Sequence, residues 1–147
     1  DAPRVLQTAY LQTDLSGLIA TFGNMFDVRA TTDLHIIGLA VRSSTKRPFM
    51  VKVYTREGSH LGLENAKSQW HLLATYQNVR SYGLTAFTPL PSFRPPLYVR
   101  ADTVRSFYVT ADDLVLLTRH NVRAGSVISA NQDLSILAGG LNYYEFR

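Results

Sequence analysis

Four histidines, His35, His60, His71 and His120, are the first side chains to weigh for chemistry. An imidazole titrates near neutrality and ligates metals, so close His-x-His or His-Glu-x-x-His spacing would signal a metal centre. Neither spacing occurs, and no acidic cluster adjoins a histidine. No Gly-x-Ser-x-Gly elbow is present to expose a serine nucleophile. The Gly139-Gly140 pair follows a strand-like run and opens no helix, so it cannot cradle a phosphate. With no cysteine, thiolate metal sites, disulfides and cysteine nucleophiles are excluded together. The expectation is a chain that is not an enzyme, with His35 a satisfied sheet histidine.

Oxygen-rich turns come next. Asp112-Asp113 and Asn131-Gln132-Asp133 offer hard ligands, and Asp112, Asp113, Asn131 and Asp133 are the set that a structural Ca²⁺ would use. Plain turn formation is the competing reading, because no Asp-x-Asp-x-Asp-Gly loop occurs. No other cofactor is expected. Aromatic residues make up 11% of the chain. A sugar site wants an exposed ring flanked by polar forks, and Tyr82, Tyr98, Tyr143 and Tyr144 lie near loops or the chain end, where such a ring stands. Arg94, Arg100, Arg105, Arg119, Arg123 and Arg147 are dispersed among acids, which argues against a nucleic-acid partner.

The elements that must position these residues read mostly as strands. Phe49, Val51 and Val53 alternate with Met50, Lys52 and Tyr54 behind Pro48, the pattern of a half-buried strand. Leu34 to Val41 is apolar on both faces and reads as a central strand. Further strands are expected at Phe26–Ala30, His71–Val79, Leu97–Arg100, Val104–Thr110, Leu114–Thr118, Ser126–Ala130 and Leu134–Leu137, separated by turn residues. Phe107 and Val109 face one way, Tyr108 and Thr110 the other. Glu64 to Trp70 has room for one helical turn that brings Trp70 into the core. Four prolines between Pro89 and Pro96 mark a stiff irregular connection between sheets rather than a strand. So many short strands with little helix between them predict an all-β fold, an antiparallel two-sheet β-sandwich resembling a jelly roll over residues 23–147.

Residues 1–22 form a separate arm, helical or extended. Asp14 stands where a helix cap belongs, and Leu15, Leu18, Ile19 and Phe22 repeat on one helical face. Such a face packs on its own domain or on a neighbouring subunit. At the other end, Leu141-Asn142-Tyr143-Tyr144-Glu145-Phe146 is aromatic and carries no lysine or proline to blunt a strand edge. Leu15, Leu18, Ile19, Phe22, Tyr144 and Phe146 are therefore the candidate self-association residues, and copies of the chain the expected partner.

Several phrases in order resemble a family of β-sandwich modules in algal and bacterial secreted or surface proteins. They are Gly23-Asn24-Met25-Phe26-Asp27-Val28, Val53-Tyr54-Thr55-Arg56-Glu57-Gly58-Ser59, Gly62 with Glu64 ahead of Trp70-His71-Leu72-Leu73, Pro89-Leu90-Pro91-Ser92-Phe93, Phe107-Tyr108-Val109-Thr110, and Asn131-Gln132-Asp133-Leu134-Ser135-Ile136-Leu137-Ala138-Gly139. The resemblance implies a non-enzymatic module of larger surface or matrix proteins, located outside the cell or on its surface.

Size and composition agree with such a module. A chain of 147 residues with 46% hydrophobic and 18% charged side chains is neither disordered nor too small to hold a core. No apolar run has the length of a membrane-spanning helix, so membrane insertion is not expected. The leading expectation is a structural module that self-associates into an extracellular or cell-envelope assembly. The alternative is a glycan-binding β-sandwich module.

Overall fold

A computed structural model describes residues 19–21, 23–83, 85–113, 116–118, 127–130, 134–137 and 141–142. Within them the chain is all-β. In chain order the strands are β1 (Ile19–Thr21), β2 (Gly23–Ala30), β3 (Leu34–Ile36), β4 (Ala40–Val41), β5 (Phe49–Glu57), β6 (His71–Val79), β7 (Thr88–Pro89), β8 (Leu97–Val99), β9 (Val104–Ala111), β10 (Leu116–Thr118), β11 (Val127–Ala130), β12 (Leu134–Leu137) and β13 (Leu141–Asn142). No helix among the described residues is long and apolar enough to cross a membrane.

Seven strands form the main sheet, in the order β11-β12-β2-β9-β5-β6 with β13 also on β2. Its ladders are all antiparallel. Period-two alternation sorts the side chains onto two faces. Val28, Val51, Val53, Phe107 and Val109 join one large apolar core. Met25, Tyr54 and Tyr108 lie on the opposite face with Trp70. Phe107 and Tyr108 thus point to opposite sides, as their alternation predicts. The apolar face is covered by Val41, Leu90, Phe93 and Leu116, with Ile36, Leu39 and Leu97 packed against them. Apart from Leu39, which lies between β3 and β4, these belong to two-stranded pairs, β3-β8, β4-β7 and β1-β10, and to the proline-rich segment between β7 and β8.

Three expectations change here. The run Leu34–Val41 is not a central strand but the two short strands β3 and β4, both outside the main sheet, with His35 and Ile37 exposed. The cause lies in the segment they pair with. Leu34 pairs with Val99 and Ala40 with Pro89, so residues 37–39 stand against the longer stretch 90–96. Prolines there lack the N–H that a continuous ladder needs. Leu90 N and Phe93 N still donate to Leu39 O and Ile37 O, at 2.9 and 2.7 Å, and both side chains turn into the core.

The proline-rich stretch itself starts inside a strand, because Thr88–Pro89 forms β7 against β4. A two-residue edge pairing tolerates the missing donor. Finally, Ile19 does not continue a helical face. Ile19–Thr21 is extended and pairs with Leu116–Thr118 of the same chain. A β-branched Ile and Thr suit that strand better than a helix. Leu15, Leu18 and Phe22 lie outside the described residues.

Trp70 arrives as expected, behind a 3₁₀ turn at Lys67–Gln69. It is buried, its indole N–H donates to Leu63 O at 2.9 Å, and its ring meets Tyr108 edge-on at 6.1 Å. Among the described strands β6 is a margin of the main sheet, and it carries no lysine, arginine or acid. It is blunted by geometry instead. Register slips against β5 at two places, each adding a residue on the β6 side, near Leu73 and at Gln77–Asn78. Asn78 takes the left-handed φ of 56° in the second bulge. Bulges twist an edge away from flat pairing, the task that charge or proline performs elsewhere.

Candidate functional site

Chemistry-bearing side chains gather at three places. The first lies under the loop after β5, against the face that carries Tyr108. β2 and β9 pair in a register that sets Asp27 beside Ser106, and Gly58, with φ of 87°, turns Ser59 and His60 back over them. Asp27 Oδ1 accepts from His60 N at 3.1 Å, His60 Nδ1 at 2.7 Å and Ser106 Oγ at 2.7 Å. Its Oδ2 accepts from Ser59 Oγ at 2.7 Å. A carboxylate can only accept, so the His60 tautomer carries its proton on Nδ1. Ser106 Oγ also lies against Gly58 O, and its single proton serves one of the two acceptors.

Burial pushes the Asp27 carboxyl upward, but the bonds from His60, Ser59, Ser106 and the His60 backbone outweigh it and hold the pKa at about 2. The set contains Ser, His and Asp, yet its wiring is not that of a nucleophile. Both hydroxyls point at the carboxylate rather than the imidazole, and His60 is 1% exposed. The arrangement pins the loop to the sheet. None of these four residues was singled out by spacing as a group, because Asp27 and Ser106 meet only through strand register across the chain.

The second place is the outer face of the β3-β8 ribbon. His35 and Tyr98 are direct cross-strand partners, ring centroids 5.4 Å apart and tilted by 51°. Tyr98 is 50% exposed and Ile37 43%. Asp33, Pro96 and Arg100 are exposed as well, and alternation puts them on the same outward side as His35 and Tyr98. Partial desolvation, then the charge and hydrogen bond of Asp33, raise the Tyr98 pKa against the opposing pull of Arg100. Asp33 Oδ1 also accepts from Ala101 N at 2.8 Å, which fixes the carboxylate.

The third is a groove of about 410 Å³ between the C-terminal half of β6 and the Thr88–Pro91 stretch. Thr75, Gln77, Asn78, Arg80 and Tyr82 line one side. Tyr82 is 67% exposed while its backbone N donates to Thr88 Oγ1 at 2.8 Å, so the chain is fixed and the ring is open to water. Tyr76 Oη donates to Pro91 O at 2.8 Å and ties the two walls together; burial raises its pKa.

Of the sugar-site tyrosines, Tyr82 and Tyr98 are therefore both exposed but stand at different places, in the groove and on the ribbon. Tyr143 and Tyr144 lie outside the described residues, as does Phe146. Of the Ca²⁺ set, Asp112 Oδ1 accepts from Met50 N at 3.1 Å and Asp113 Oδ2 accepts from Arg47 Nη2 at 3.1 Å. A guanidinium is thus the cation beside this pair. Asn131 and Asp133 lie outside the described residues, and among those described no three His, Asp or Glu gather as a metal set. No family model matches the chain, and no curated protein matches it.

Proposed function

We propose that this chain is a non-enzymatic, sandwich-type structural module that self-associates within an extracellular or cell-surface assembly. The resemblance of several phrases to the secreted and surface module family supports that setting. The observation that carries the reading is the outward face of the β3-β8 ribbon. His35 and Tyr98 face each other from the two strands, with Asp33 just ahead of β3 and Arg100 just after β8 exposed beside them. A two-fold axis running along the ribbon lays each strand over its opposite in a second copy. Carboxylate then meets guanidinium, and imidazole meets phenol ring. Such self-complementarity is what an isologous contact requires.

The termini supply less support than the sequence suggests, since Ile19–Thr21 and Leu141–Asn142 pair with strands of their own chain. The ribbon face is smaller than the roughly 20–30 residues per side of a standard interface, so a weak, concentration-dependent association is expected. Sedimentation velocity of the full chain from micromolar to millimolar concentration tests it. Tyr98→Ala and Arg100→Asp each shift the distribution toward monomer, and the exchange Asp33→Arg with Arg100→Asp restores association. A strictly monomeric wild type, or association indifferent to Tyr98→Ala and Arg100→Asp, overturns the reading.

A further inference from the structure

The groove beside Tyr82 has a chemistry of its own, independent of any contact between copies. Its walls are held at a fixed separation by the Tyr76 bond to Pro91 O, and its aromatic platform is anchored through the backbone bond to Thr88. A ring held by its backbone offers a large flat face at little cost in conformational entropy. Thr75, Gln77 and Asn78 line it with groups that both donate and accept, the Gln77 Nε2 also donating to Met50 Sδ at 3.4 Å. That mixed character matches a dense array of hydroxyl groups better than a hydrocarbon. The Gln77–Asn78 bulge, with Asn78 in its left-handed conformation, interrupts strand pairing at the groove and re-aims these side chains. The opposite wall includes Pro89 and Pro91, which have no N–H to donate, so an extended peptide would find a ladder partner on one side at most.

Charge narrows the ligand further. Among the described lining residues Arg80 is the single ionic side chain, and no carboxylate accompanies it. A guanidinium presents a planar fork of donors that fits a carboxylate or a sulfate. We infer that this groove binds an acidic oligosaccharide, with one pyranose ring stacked on Tyr82, its hydroxyls bonded to Gln77 and Asn78, and its acidic group on Arg80.

Calorimetric titration of the full chain with three probes of equal length tests the assignment: an oligouronate, a sulfated oligosaccharide and their neutral counterpart. The acidic probes are expected to bind more tightly than the neutral one, and the stronger of the two identifies carboxylate or sulfate as the natural group. Tyr82→Ala is expected to weaken binding about tenfold or more, the effect of removing a central aromatic contact. Arg80→Gln is expected to bring the acidic probes down to the neutral affinity. Both positions are exposed, and circular dichroism checks that each variant is folded. Amide shifts mapped by NMR should cluster at residues 75–82 and 88–91. Sedimentation of Tyr82→Ala should match wild type, which separates failure here from failure of the self-association reading. No saturable binding by any probe overturns the inference, as does binding untouched by Tyr82→Ala or replaced by binding of a proline-rich peptide. Equal affinity for the neutral probe overturns its acidic part.

Discussion

The loop-pinning cluster at Asp27 and the groove at Tyr82 contain similar kinds of side chain and use them in opposite ways. At Asp27 polar groups face one another across a buried space, and the carboxylate meets four donor groups from three residues, the Ser106 proton lying between it and Gly58 O. At Tyr82 the backbone N–H is bonded while the ring is 67% exposed, with Asn78 and Arg80 exposed nearby. Burial with complete pairing makes stability, because an unmet polar group in low dielectric is costly. Fixed backbone under exposed side chains is the arrangement on which the proposed binding rests. The contrast predicts that substitutions at the first region cost the fold and leave binding aside, and that those at the second do the reverse.

The sharpest way to break that division is Asp27→Ala. It leaves the His60 imidazole, the His60 amide and the Ser59 and Ser106 hydroxyls facing a hole inside the molecule. Removing the charged member of a buried set costs about 3–5 kcal/mol. Urea unfolding should show that loss, or no folded state at all. A cost below about 1 kcal/mol, typical of exposed sites, would place the cluster outside the fold's essential structure.

Gly23→Ala tests the same face by crowding it. A Cβ at Gly23 would stand 2.5 Å from Tyr108 Cε1 and 2.7 Å from Val109 O. The ring could move only by disturbing its stacking with Tyr54, at 5.8 Å, and its edge contact with Trp70. Overpacking costs roughly 1–3 kcal/mol, and backbone contact on one side puts this case at the upper end. The check is the urea midpoint, with an unchanged slope showing that the unfolded state is not the cause.

Acid gives a smaller effect with a defined window. The Asp27 pKa is about 2 in the folded chain against the usual 3.8. As pH falls, the unfolded chain takes up this proton first. The stabilisation is therefore fully present above about pH 4 and lost progressively down to about pH 2, amounting to about 2 kcal/mol. Asp27→Asn should flatten this stretch of the stability-against-pH curve, whatever it does to stability at neutral pH. A curve with the same slope in both proteins would assign acid sensitivity to other carboxylates.

What the sequence made legible follows from the range of the interactions involved. Alternation is local, so the β5, β6 and β9 strands and the opposite facings of Phe107 and Tyr108 could be read directly. Trp70 could be placed because a turn and a large ring lie within a few residues of each other. Leu34–Val41 misled because hydrophobicity records burial without naming the partner, and that partner is the distant 88–99 segment whose prolines split the ladder. The Asp27 cluster was hidden for a related reason. Its members come from β2, β9 and the loop after β5, and only strand register joins them. One hint stood in plain view: Asp27 occupies the same face as Met25 in a strand otherwise rich in apolar residues, so its charge needed donors. Tyr82 and Tyr98 were singled out for their nearness to turns, yet nothing local could tell that they stand at two separate places.

The smallest stability effect should come from Tyr82→Ala and Tyr98→Ala, and it discriminates most finely. Both rings are half or more exposed, so each truncation should change unfolding free energy by less than about 0.5 kcal/mol. Their other consequences should not overlap. Tyr98 faces His35 and the Asp33 and Arg100 charges, so its loss should lower self-association and leave sugar titrations alone. Tyr82 lines the groove that Arg80 also lines, so its loss should do the opposite. Unfolding, sedimentation and titration on the same two variants therefore give a crossed pattern if the ribbon and the groove are separate working surfaces. Parallel losses in both assays would mean that the two tyrosines act on one shared surface.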